Sequence, residues 1–125
     1  TSLPDAVATA TVRNVQKILS DPKPRAVLAQ HAALVSKALH DIFQGQPEFD
    51  GQAQSNILPI LLGSDTRASA WSCNLLEAGL HVPAIRSPAV PSGHAILRIS
   101  LRSDHSESDL KKLVDAVALL ARTEN

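Results

Sequence analysis

Two short apolar runs near the end of the chain, HVPAIR and AILRISL, are separated by the turn sequence SPAVPSGH. Pro88 and Pro91 restrict the backbone of the turn, and Gly93 permits the chain to reverse direction. Apolar runs of this length, bounded by Pro and Gly, predict two neighbouring antiparallel strands at 80–86 and 95–101. Because a strand pair with an apolar face must be covered, this feature predicts a sheet packed against helices.

A third apolar run, NILPILL at 56–62, predicts another strand of the same sheet. Pro59 cannot donate a hydrogen bond to a neighbouring strand, so it favours an edge position or a bulge. Apolar residues at helical spacing predict helices at about 4–19, 25–43, 65–78 and 107–123. The order α-α-β-α-β-β-α predicts an α+β fold, a three-stranded sheet with helices on one face.

Small polar residues mark the predicted helix starts. Ser2 is expected to cap the first helix and Ser64 the third. Ser106 and Asp109 form a capping-box pattern that opens the last helix. These positions fix where the helices begin relative to the strands.

The third predicted helix carries the one cysteine of the sequence. Its apolar stripe is expected to turn Trp71, Leu75 and Leu76 inward, and Cys73 is expected to be a buried, inert thiol. One cysteine provides no internal disulfide framework and favours a reducing compartment, so a cytoplasmic location is predicted.

Charge and composition exclude several classes of function. Lys plus Arg and Asp plus Glu both number 12, so no basic field directs the chain to nucleic acid. The apolar runs are far too short to cross a bilayer, so no membrane association is predicted. The histidines show no metal-ligand spacing and predict no metal site; they are His31, His40, His81, His94 and His105.

The chain opens with TSLP and contains no Met, which predicts a piece of a longer protein. Its 125 residues are enough for one core. We predict that residues 1–50 are a helical connector facing an absent large domain and that 51–125 are a small α+β domain. In that case the first two helices should carry apolar surface that this chain does not cover.

Two arginines flank the proline-rich turn. Arg86 ends the second predicted strand, and Arg98 lies within the third. Since a guanidinium group binds a carboxylate through two parallel hydrogen bonds, the two side chains are predicted to approach one carboxylate-binding cleft. The alternative is that each arginine lies in water or makes a weak surface ion pair, worth about 0–1 kcal/mol.

The stretch VPAIRSPAVPSGHAILRISLRSDHS resembles the C-terminal signature of the α-oxoamine synthases. These are fold-type I pyridoxal-phosphate enzymes that condense an amino acid with an acyl thioester and release carbon dioxide. The segment ILPILLG, the helix after it and the opening TSLP with its Ala-rich helix fit the same family in the same order. The resemblance implies that the chain is the small C-terminal domain of such an enzyme.

The resemblance implies roles for residues around the turn. Arg98 corresponds to the arginine that meets the carboxylate of the amino acid or product, and Arg86 to a second arginine that approaches the same group. Ala89 stands where the family has a threonine that helps to hold substrate. Ile96 replaces an arginine and Ser87 replaces a proline, so the resemblance does not identify which amino acid and acyl thioester are the substrates.

The resemblance also implies a cofactor and partners. Thr1 and Ser2 match a position that contacts the cofactor phosphate across a homodimer interface, and the substrates are an amino acid and an acyl thioester of coenzyme A or acyl carrier protein. The Schiff-base lysine of the family would precede Thr1. Lys37 in Ser36-Lys37-Ala38 mimics its motif but is predicted to be a solvated helix residue, so this chain is expected to bind no pyridoxal phosphate and to be inactive by itself.

Two other functions stay open on the sequence. The chain could be a free-standing, non-enzymatic α+β domain that binds a small acid or regulates a partner, because regulatory amino-acid-binding domains use a similar element order. It could also be a lysine-less pseudo-subunit that supports an active partner. Uncovered apolar surface on the first two helices would favour the enzyme domain over a free-standing one.

Overall fold

The computed structural model describes residues 2–49 and 55–124. These residues form four helices and three strands in the predicted order, which confirms the predicted α+β fold. The elements are α1 (Asp5–Ser20), α2 (Lys23–Phe43), β1 (Ile57–Gly63), α3 (Asp65–Glu77), β2 (Ala84–Ile85), β3 (Ala95–Ser100) and α4 (Glu107–Thr123).

The described strands form an antiparallel sheet in the order β1-β3-β2, with β3 in the middle. Strand β1 is therefore an edge strand, as Pro59 predicts, because the missing N–H of a proline is tolerated there. Pro59 lies opposite Arg98, and the register shifts between Leu61 and Gly63. The sheet thus places the strand that carries Arg98 between its two neighbours.

Strand β2 is shorter than predicted, and its backbone groups explain why. The Leu80 N–H donates to the Leu75 carbonyl at 2.8 Å, which closes the end of α3 instead of extending the sheet. The Val82 carbonyl accepts the Ser72 hydroxyl at 2.7 Å, and Pro83 has no N–H to donate. The ladder is left with Ala84–Ile85.

The core lies between one face of the sheet and helices α2, α3 and α4. Strand alternation turns Leu58 and Ile60 of β1 toward this face, together with Leu97 and Ile99 of β3. The helices contribute Ala32, Val35, Leu39, Phe43, Ala68, Trp71, Leu75, Leu110, Leu113 and Val117. Since α2 shares this core, the predicted division at residue 50 is not a boundary of packing and stays a prediction about the longer protein.

Helix α1 has no buried residue and does not pack against another described helix or strand. The Arg25 guanidinium of α2 donates a hydrogen bond to the Ile18 carbonyl near the end of α1. Its apolar side chains face solvent, and Leu34 on α2 is also 54% exposed. The predicted uncovered apolar surface is therefore present. The exposed apolar residues of α1 are Val7, Val12, Val15, Ile18 and Leu19.

Helix α3 buries Trp71 and Leu75 as predicted, but the predictions for Leu76 and Cys73 are wrong. Leu76 is 58% exposed, and the Cys73 thiol is exposed as well. The buried positions 68, 71 and 75 are spaced by three and four residues and share one helix face. Position 73 lies about 200° around the helix from 71, and position 76 about 140°, so both leave that face.

Two of the three predicted caps are confirmed. Ser64 Oγ accepts the Arg67 N–H at 3.0 Å. Ser106 Oγ accepts the Asp109 N–H at 3.1 Å, and the Asp109 carboxylate accepts the Ser106 N–H at 2.8 Å. The prediction that Ser2 caps α1 is wrong, because that helix starts after Pro4 without a side-chain cap.

Candidate functional site

Arg98 lies on the face of the sheet that the helices leave open. Its neighbours Leu97 and Ile99 face the core at 0% and 2% exposure, so alternation places Arg98 on the opposite face. Its partner in β1 is Pro59. On the other side of the strand, the Arg98 N–H donates to the Pro83 carbonyl at 3.0 Å. Among the described residues the Arg98 guanidinium has no hydrogen bond or ion pair. The strand therefore presents a free cation between two prolines.

Arg86 follows the last residue of β2 and turns toward helix α3. Its Nη1 donates to Ser69 Oγ at 2.9 Å, and the Ser69 hydroxyl donates to the Asp65 carbonyl at 2.8 Å. The Ser87 N–H donates to the Asp65 carboxylate at 3.4 Å. The start of the turn is thereby attached to the first part of α3.

No contact among the described residues joins the two arginines. The predicted antiparallel pairing of their strands is confirmed. Arg86 is engaged with Ser69 in the helix layer, whereas Arg98 stands on the open face. Their convergence on one carboxylate stays a prediction, since Arg86 would have to release Ser69 and turn away from α3.

The departures from the family pattern lie in the proline-rich turn and on strand β3. Ala89 and Ser87 are exposed in the turn. Ile96 is half-buried on the same open face as Arg98, with Leu61 and Ile85 as its cross-strand partners. The surface beside Arg98 is thus apolar at Ile96, where the resemblance implies an arginine.

The described residues do not by themselves fit pyridoxal phosphate. Thr1 lies outside the described residues, and Ser2 is exposed ahead of a helix that packs against no other described element. Lys37 is exposed on α2, as predicted for a solvated helix residue. Across 2–49 and 55–124, no group of three or more His, Cys, Asp or Glu side chains could hold a metal.

No sequence pattern pointed to a polar cluster that the structure places at the start of α3. The Arg67 guanidinium contacts Glu124 Oε2 from Nε at 2.8 Å and from Nη2 at 2.7 Å. Its Nη1 reaches the Leu62 carbonyl at 3.3 Å and Glu48 Oε1 at 3.4 Å. The Trp71 indole N–H donates to Glu124 Oε1 at 2.6 Å. This Arg67 cluster holds the residue after α4 against the junction of β1 and α3.

Electrostatics in the Arg67 cluster favour the charged forms. The hydrogen bond to Glu124 raises the pKa of Arg67 above its usual value. Burial by itself would raise the pKa of Glu124, but the hydrogen bonds from Arg67 and Trp71 outweigh burial and lower it. The partners are 19 and 57 residues apart in sequence, which no local motif can reveal.

We expect Glu124→Gln to reduce the amount of folding stability that the chain loses at acidic pH. Because the pKa of Glu124 is lower in the folded state, the ionised group stabilises the fold above its ordinary pKa of 4.5. That contribution is lost as the pH falls through the folded-state pKa. The urea midpoints of the chain at pH 7 and pH 3 should therefore differ less in Glu124→Gln than in the unmodified chain.

The matched control is Glu77→Gln, which removes an exposed carboxylate outside the Arg67 cluster. It should keep the pH dependence of the unmodified chain. The same midpoint difference in all three proteins would contradict the role of Glu124.

The chain is similar to known enzymes over nearly its whole length. It is 36% identical over 124 residues to 8-amino-7-oxononanoate synthase of Chromohalobacter salexigens, covering 99% of this chain and 31% of that enzyme. Sphingomonas wittichii serine palmitoyltransferase has a TM-score of 0.85 at 30% identity, covering 98% of this chain and 30% of its own. No family model matches the chain.

A second serine palmitoyltransferase, from S. paucimobilis, was solved with a pyridoxal phosphate–myriocin adduct. Its TM-score is 0.75 at 22% identity, with 98% of this chain and 30% of that chain covered, so it shows a shared fold. The fold and the matches together define the class: the C-terminal part of fold-type I pyridoxal-phosphate enzymes.

Within that class the chain belongs to the α-oxoamine synthase family, where its curated relatives are named 8-amino-7-oxononanoate synthase. It spans about 31% of the length of the Chromohalobacter relative.

Proposed function

We propose that the chain is the C-terminal small domain of a pyridoxal-phosphate-dependent C-acyltransferase resembling 8-amino-7-oxononanoate synthase. The full-length enzyme condenses an amino acid with an acyl thioester of coenzyme A or acyl carrier protein and releases carbon dioxide, a reaction of biotin biosynthesis. It acts as a cytoplasmic homodimer. Pyridoxal phosphate, held by the rest of the enzyme, supplies an electron sink for the reacting carbon.

The role of this domain is to anchor the substrate carboxylate at Arg98. The observation that supports this role is the free guanidinium of Arg98 on an open sheet face. Solvated faces of antiparallel sheets are normally polar, yet here the neighbours of Arg98 include Pro59, Ile57 and Ile96. A free cation in apolar surroundings is suited to a carboxylate that another part of the enzyme brings to it.

Arg86 is assigned the secondary role. On release from Ser69 its side chain turns to the same carboxylate. The exposed apolar surface of α1 supports the enzyme domain over a free-standing regulatory domain, because a surface of that kind is normally covered in the native protein.

The test is to assay the full-length enzyme for carbon dioxide release from amino acids in the presence of acyl thioesters. Release that requires both substrates and pyridoxal phosphate supports the proposal. A protein that binds the cofactor but releases no carbon dioxide with any amino acid and thioester pair contradicts it.

We expect the isolated chain to form no specific Schiff base with pyridoxal phosphate and to be inactive. Lys37 is exposed on α2 and would react no faster than any other surface lysine. Absorbance titration of the chain with the cofactor, with Lys37→Ala as the matched control, measures this. A saturable absorbance band that disappears in Lys37→Ala would make the expectation wrong.

A further inference from the structure

The open face of the sheet carries two adjacent rows of side chains that differ in chemistry. The first row is centred on Arg98, between Pro59 of β1 and Pro83 beside β2. The second row, which we call the apolar row, lies two residues back along β3. The apolar row consists of Ile96, its β1 partner Leu61 and its β2 partner Ile85.

The apolar row is continuous across the sheet. Side chains directly opposite each other in antiparallel strands have Cβ atoms about 5 Å apart, so Ile96 lies within contact distance of Leu61 on one side and of Ile85 on the other. All three are half-buried although helices α2, α3 and α4 pack on the other face. The three side chains therefore form an apolar strip next to a free cation.

The surface on the other side of Arg98 is different. There Ser100 is the β3 residue, and its β1 partner Ile57 is 47% exposed. A ligand held by its carboxylate at Arg98 gains more apolar contact by extending over the three side chains of the apolar row than toward Ser100 and Ile57, where one apolar side chain is available. The two sides of Arg98 thus favour one direction for the body of the ligand.

We propose that the apolar row is a subsite for the aliphatic part of the acid that Arg98 anchors, and that Ile96 determines how long an aliphatic chain fits. This inference rests on the proposed carboxylate anchor. The two rows are about 7 Å apart along β3, roughly the length of a short aliphatic chain. The ligand class is therefore a carboxylic acid with an unbranched apolar body, and the specificity-determining residue is Ile96.

The experiment measures inhibition of the full-length enzyme by the straight-chain acids from acetate to hexanoate. Each methylene group that reaches the apolar row should tighten inhibition by about fourfold. Ile96→Ser should remove this gain for the longer acids and leave inhibition by acetate unchanged. Ile96→Leu, which keeps the apolar volume, should retain the gain and shows that position 96 tolerates replacement.

The matched control is Ile57→Ser, on the far side of Arg98, which should keep the original dependence on chain length. Arg98→Ala should weaken inhibition by all the acids by the same factor. If Ile96→Ser keeps the dependence on chain length while Arg98→Ala still weakens inhibition, the apolar row is not a subsite. The carboxylate anchor at Arg98 is then still supported. Inhibition that is absent for every acid, or that does not depend on Arg98, overturns the anchor and the apolar row together.

Discussion

Replacing Arg98 with alanine in the full-length enzyme should lower kcat/KM by roughly 30-fold to several thousand-fold, equivalent to about 2–5 kcal/mol. The substrate carboxylate would lose a charge-assisted, two-point partner while its desolvation cost remained. The same substitution in the isolated chain should lower the free energy of unfolding by less than about 1 kcal/mol. The reason is that Leu97 and Ile99 fill the core on the opposite face without help from Arg98.

Two further variants make this comparison specific. Arg102→Ala removes an arginine that is 71% exposed and pairs with Asp104 at 2.6 Å, so it should leave kcat/KM nearly unchanged. Arg98→Lys keeps the charge but loses the planar fork, and its kcat/KM should lie between those of the unmodified enzyme and Arg98→Ala. Steady-state kinetics and urea melts measure both effects. Near-normal turnover combined with a badly destabilised chain would show that Arg98 is a structural residue.

Helix positions were predictable because their signals are local. Ser64 and the Ser106–Asp109 pair bind backbone N–H groups within three residues, so their sequence pattern determines their structure. The edge position of β1 followed from Pro59 for a similar reason, since a missing N–H constrains the strand that contains it.

Contacts between distant segments could not be predicted in this way. The hydrogen bond from Arg86 to Ser69 spans 17 residues, and that from Arg67 to Glu124 spans 57. Both depend on how α3 is rotated against the sheet. The sequence left that rotation ambiguous, because Leu75 and Leu76 are adjacent and equally apolar.

The candidate site also combines local features that the sequence predicts with long-range contacts that it does not. The apolar runs and the proline-rich turn predicted the order of the strands along the chain and the position of Arg98 within β3. Whether Arg86 joins Arg98 depends on competition from Ser69 on another element, which no pattern in the turn reveals.

The rotation of α3 predicts the largest difference in stability between two neighbouring substitutions of the same kind. Leu75→Ala should lower the free energy of unfolding by about 2–5 kcal/mol, because Leu75 is 1% exposed and its loss leaves a cavity. Leu76→Ala should stay within about 0.5 kcal/mol, because Leu76 is 58% exposed. Urea unfolding of the two variants and the unmodified chain, fitted with a common m value, measures the difference.

A reversed order of the two effects would mean that α3 is rotated from the orientation described. Leu76 and Ser69 are seven residues apart and share one helix face. If Leu76 faced the core, Ser69 would face it too and could not accept the hydrogen bond from Arg86. Arg86 would then be free to turn to Arg98 without first breaking a contact, so this stability comparison also tests how the second arginine is held.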